Sequence, residues 1–186
     1  MKPFMHEKGK EFLSRKEIRS FLVRFFLLFL LVEGLLFFIP PTGYQVWLAT
    51  SIGGWFSAPV HEIWIMVAHG NFEITPSCTG ITSASLFLGL LWGFPSLPKK
   101  KLFYSAGGIL LLLLLNYFRL LLVVAAGDYF SLVVAEILHI LSWFILSGIA
   151  FGIWFAILHH TTGEKTWRGI GKALLVAHTR PMHPHE

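Results

Sequence analysis

Charge is scarce in this 186-residue chain, at 13% Asp, Glu, Lys and Arg. Soluble domains carry about a quarter. Cysteine is scarcer, with one residue, Cys78. A single cysteine excludes an internal disulfide, a CxxC redox pair and a cysteine-rich zinc site. No HExxH or comparable ligand spacing occurs either; His61, Glu62, His69 and Glu73 lie near one another without a metal-binding pattern. No metal or organic cofactor is expected. Acidic residues are outnumbered 10 to 15, a formal net charge of +5. The basic residues fall in short segments between apolar stretches, however, and form no coherent basic surface. That excludes nucleic acid as a partner and leaves anionic membrane lipids as what they attract. Internal repeats are absent.

What fills the chain instead is apolar. Hydrophobic residues make up 55% of it, which fits a small polytopic membrane protein. Four apolar segments stand out, at residues 21–39, 78–97, 102–126 and 130–158. A helix needs roughly 20 residues to cross a bilayer, so all four can span, the second only just. Between the first two lies "YQVWLATSIGGWFSAPVHEIWIMVAHGNFEITP", broken by Gly53, Gly54, Pro59, His61 and Glu62. Its tryptophans favour the headgroup level and make it an interfacial or re-entrant element.

Basic residues decide the orientation. Lys2, Lys8, Lys10, Arg15, Lys16 and Arg19 precede the first segment, Lys99, Lys100 and Lys101 separate the second from the third, and Lys165, Arg168, Lys172 and Arg180 follow the fourth. Residues 40–80 and 127–131 hold no Lys or Arg. Four spans place every basic loop in the cytoplasm, whereas a fifth would export the lysine triplet. The expectation is an all-α polytopic membrane helical bundle with four transmembrane helices and an extracytoplasmic interfacial element. It comprises a cytoplasmic N-terminus (1–20), one transmembrane catalytic domain (21–158) and a cytoplasmic tail (159–186), ending in a disordered "HTRPMHPHE". The first segment is long and has no small-residue cleavage site directly after it, so it is an anchor and not a signal peptide. The protein is placed in the cell membrane, with both termini cytoplasmic.

Several polar residues sit inside these spans. Arg119 lies in "LLNYFRLLLVV", with Asn116 three residues earlier on the same helical face. An arginine at a span centre costs about 2.5–3.5 kcal/mol on insertion scales. His139 lies in the fourth span, with Glu136 and Ser142 three residues to either side. Glu33 interrupts the first span and is expected to face the bundle. Measured from the cytoplasmic side, Cys78 stands about 24 Å up, Arg119 about 26 Å and His139 about 29 Å, at 1.5 Å per residue. A thiol, a guanidinium and an imidazole on consecutive spans thus converge on one level of the outer leaflet. Pro76, Ser77 and Thr79 read as a helix start, which favours a thiolate at Cys78. His139 is a proton shuttle for that thiol, and Arg119, which does not deprotonate, suits an oxyanion. Glu136 or Asn116 orients the others.

These residues resemble the exosortase and archaeosortase family of membrane cysteine transpeptidases. Its Cys-Ser/Thr-Gly motif matches Cys78, Thr79 and Gly80; its Asn-x-x-Arg motif matches Asn116 and Arg119; its later histidine matches His139. The resemblance covers roughly residues 60–150. It implies a peptidase or transpeptidase that recognises membrane-anchored precursors by a C-terminal sorting tail: a short motif, one transmembrane helix and a basic cluster. Cleavage on the outer face would pass the acyl group from Cys78 to an acceptor, water or an amine on a lipid or glycan. The compact plan lacks the extra spans of larger bacterial exosortases and is nearer archaeosortase-type members.

Plainer accounts exist for each residue. Cys78 alone reads as a small apolar residue, His139 as a hydrogen-bonded core histidine, and Arg119 as a structural cation paired with Asp128 or Glu136. Those accounts describe a scaffold or assembly subunit. A membrane acyltransferase using the same thiol on lipid is a third reading. Gly89, Gly93, Gly107, Gly108, Gly148 and Gly152 are expected to permit close helix contact, with Gly89/Gly93 and Gly148/Gly152 as GxxxG pairs.

Overall fold

Leucine-, phenylalanine- and valine-rich runs with few breakers dictate helix, because backbone N–H groups in an apolar surrounding must bond within their own segment. The structure, a computed structural model, describes residues 15–93 and 101–162. Along them run α1 (Arg15–Phe38), α2 (Thr42–Trp55), strands β1 (Val60–His61), β2 (Trp64–Val67) and β3 (Gly70–Glu73), a 3₁₀ turn (Pro76–Thr79), α3 (Ile81–Gly93), α4 (Lys101–Tyr129) and α5 (Leu132–Thr162). Residues 1–14, Lys99, Lys100 and the tail from 163 onward lie outside the described residues, and with them most of the basic segments.

Three of these helices are long and apolar enough to cross a membrane: Ile18–Phe38, Lys101–Tyr129 and Leu132–Thr161. The predicted second span begins later than expected. Cys78 occupies the 3₁₀ turn, and α3 starts only at Ile81. Its 13 described residues rise about 20 Å, and the predicted continuation through residues 94–97 lies outside the described residues. An all-α membrane bundle fits the helical body. The intervening element adds a small sheet.

Helix packing follows the small residues only in part. A Cβ at Gly89 would stand 3.0 Å from the Phe25 ring, and one at Gly93 2.9 Å from Phe21, so α1 lies close against α3. Gly108 likewise admits the Phe87 ring. Gly107, Gly148 and Gly152 meet nothing within 4 Å, so the second GxxxG pair makes no close contact here, contrary to expectation. Apolar spacing on α5 decides this: it turns Leu146, Ala150, Trp154 and Leu158 to the core and leaves the glycines on another face. On α4, burial recurs at Ser105, Gly108, Leu112, Asn116, Arg119, Val123 and Ala126, a stripe of three- and four-residue steps that carries the two polar residues inward.

The interfacial stretch forms α2 and a three-stranded antiparallel sheet ordered β1-β2-β3. α2 buries Gln45, Leu48, Ala49, Ile52 and Gly53, one helical face. In β2 the alternation of strand side chains turns Ile65 inward and Trp64 and Met66 outward. Ile65 pairs with Phe72 of β3 and Val60 of β1. Gln45 Nε2 donates to the Ile74 carbonyl at 2.6 Å, and the hairpin backbone at Ala68 donates to Asp128 Oδ1 at 3.1 Å. This element thus caps one end of the bundle. Beneath it, Leu48, Ile52, Ile65, Ile74, Leu120 and Val124 enclose Cys78.

Candidate active site

Cys78 is delivered by backbone geometry. Pro76 opens the 3₁₀ turn, Thr79 Oγ1 donates back to the Pro76 carbonyl at 2.6 Å, and Gly80 ends it at φ 81°. A side chain at that left-handed φ is disfavoured. Space excludes one too, since a Cβ on Gly80 would fall 2.8 Å from Asn116. The glycine therefore lets α4 approach until Asn116 Nδ2 donates to the Cys78 carbonyl at 2.7 Å. Cys-Thr-Gly and Asn-x-x-Arg meet at this point. The expected helix start at Pro76 is a single 3₁₀ turn, with the helix proper resuming after Gly80.

From Asn116 the contacts run on. Its Oδ1 accepts from Arg119 Nη1 at 2.9 Å, which fixes the amide orientation. Arg119 Nε donates to Ser142 Oγ at 2.8 Å, and Nη2 lies 3.2 Å from His139 Nδ1 and 3.4 Å from Nε2. A neutral imidazole accepts there through whichever nitrogen carries no proton. Ser142 Oγ donates to the His139 carbonyl at 2.9 Å, and the Trp143 ring lies 5.8 Å from the guanidinium carbon. Asn116 is fully buried and Arg119 is 6% exposed. A buried arginine with all three of its nitrogens engaged is positioned as a rigid fork.

Cys78, Thr79, Gly80, Asn116, Arg119 and His139 are therefore contiguous. Glu136 lies exposed on α5 one turn before His139, with no hydrogen bond or ion pair among the described residues. Neither Glu136 nor Asp128 pairs with Arg119; Asp128 binds the hairpin at Ala68 and His69. The Cys78 sulfur bonds to Thr75 Oγ1 at 3.2 Å, and Thr75 Oγ1 reaches Ser77 Oγ at 2.8 Å. Sequence reading missed Thr75, although a hydroxyl three residues before a cysteine in a helical turn is the signal for it. His61, Glu62, His69 and Glu73 lie in or beside the strands, and no group of three or more potential metal ligands occurs among the described residues.

A family model described as Transmembrane exosortase (Exosortase_EpsH) matches residues 12–159. The chain matches no curated protein and no solved structure.

Proposed function

The chain belongs to the transmembrane exosortase family, and from that premise we propose that it is a cysteine-dependent peptidase or transpeptidase acting on membrane-anchored precursors. Membership supports a membrane transpeptidase-type role in general. The observation that carries the finer reading is the unbroken run of contacts from the Cys78 backbone through Asn116 to Arg119, His139 and Ser142, buried where an unpaired polar group would be costly.

In this reading Cys78 Sγ attacks the scissile carbonyl and forms a thioester. His139 takes the thiol proton and returns it to the leaving amine. In the free enzyme the ring rests against Arg119; with substrate bound, the fork stays anchored on Asn116 and Ser142 while Nη2 gives its N–H to the developing oxyanion and frees a ring nitrogen for the proton. Asn116 and Gly80 hold the nucleophile's backbone, and Thr79 holds its turn. Water or an acceptor amine then resolves the thioester.

The substrates are surface proteins with a sorting motif, a transmembrane helix and a basic cluster. Four spans, with both termini cytoplasmic, open the site outward. Residues 21–158 form the catalytic domain. The test is Cys78→Ala and Cys78→Ser in membranes containing a tailed precursor. Both variants insert normally and both abolish cleavage. Normal processing by Cys78→Ala would leave a scaffold, and a trapped thioester carrying a fatty acyl group would make the protein a lipid acyltransferase.

A further inference from the structure

Glu33 belongs to none of the contacts above. It lies five residues before the end of α1 at Phe38, about 8 Å below that end. A carboxylate at such depth is expensive to keep and marks function by default. Its Oε1 accepts from Ser85 Oγ at 3.0 Å and its Oε2 from Thr82 Oγ1 at 3.5 Å, both on α3. No cation bonds to it among the described residues. An ionised carboxylate offers about four lone-pair sites, so two remain free. A cavity of about 380 Å³ opens on it, lined by Glu33, Leu36, Phe37, Pro76, Ser77 and Thr82. Ser77 is the residue before the nucleophile, and its hydroxyl joins Cys78 Sγ through Thr75.

We infer that this cavity is a subsite for a primary ammonium group on an alkyl stem, held by Glu33 next to the turn that carries Cys78. The anion matches the charge, the two α3 hydroxyls fix the carboxylate, and Leu36 and Phe37 take the methylenes. The volume lies within the range of small-ligand sites. The subsite rests on the acyl-transfer reading for its purpose and not for its existence. Two sources carry such a group: an acceptor amine, or a lysine of the precursor next to the scissile bond. As acceptor, the ammonium gives one proton to Glu33. Its nitrogen then forms the C–N bond as the thioester C–S bond breaks, the second proton goes to His139, and Cys78 leaves as thiolate.

The probe is n-butylamine, with n-butanol as the uncharged control, added to the full-length protein in detergent. Butylammonium raises the unfolding temperature saturably, and Glu33→Gln weakens its apparent affinity by about 10- to 100-fold, the loss expected for a charge-assisted hydrogen bond. Butanol binding is the same in both proteins. If Glu33→Gln does not accumulate, Glu33→Asp keeps the preference for ammonium over alcohol at reduced affinity. Equal butylammonium binding by wild type and Glu33→Gln overturns the subsite, as does loss of the ammonium preference in Glu33→Asp. With precursor present, butylamine found in the released product identifies an acceptor site, and inhibition without incorporation identifies a lysine site. Cys78→Ala retains butylammonium binding. Should that variant still cleave precursor while butylammonium binds wild type and not Glu33→Gln, the peptidase reading fails and the subsite stands.

Discussion

At the end of the bundle where α5 finishes, Phe87, Leu91, Leu112, Leu146, Trp154 and Leu158 pack side chain on side chain, and Gly89, Gly93 and Gly108 admit aromatic rings between helices. At the sheet-bearing end the same helices carry Asn116, Arg119, Ser142 and His139, joined by hydrogen bonds of 2.8–3.2 Å. The first end holds by shape and the second by direction. Shape tolerates small adjustments at a graded energetic cost. Directional contacts among buried polar groups fail abruptly when one partner goes, because the others are left unsatisfied. Variants at the two ends should therefore separate stability from activity.

The largest effect is expected at the polar end. Arg119→Lys keeps a cation but not the fork, and precursor cleavage in proteoliposomes falls by about 10²–10³-fold, the loss typical of one oxyanion donor. Membrane insertion, followed by fractionation, is unchanged. Gly108→Leu probes the apolar end: the added side chain meets Phe87 and destabilises by about 1–3 kcal/mol in detergent melting, while activity per folded molecule holds. Gly80→Ala should blur the distinction, because its Cβ strains the backbone and pushes on Asn116 together. A loss of about 1–2 kcal/mol accompanied by reduced cleavage is expected there. Thr75→Val removes one hydrogen bond to the sulfur, and cleavage falls several-fold, about 1 kcal/mol. Gly148→Leu, facing nothing within 4 Å, changes melting by less than about 0.5 kcal/mol. A large effect there would show that α5 has a neighbour on that side.

Much of this plan is legible in residue order. Long apolar runs announce the helices, because length and composition are local properties. Arg119 and His139 betray themselves by being ionisable where ionisation is costly. The stripe through Leu112, Asn116 and Arg119 follows from three- and four-residue steps. The sheet is not legible: strands of two to four residues, one preceded by Pro59 and one opening on Gly70, give no alternation long enough to read. Nor are the partners of Glu33, which lie 49 and 52 residues away on another helix. The two GxxxG pairs look alike in sequence, yet only Gly89/Gly93 faces a helix, because what an apolar face meets is settled by its neighbours.

Asn116 grips the main chain of Cys78, not its sulfur. Whatever side chain position 78 carries, the turn, the amide and the arginine beyond it keep their places. An alanine there should yield a protein that still docks its client without cleaving it. Such a stalled pair is the natural bait for pulling the unknown precursor out of a membrane.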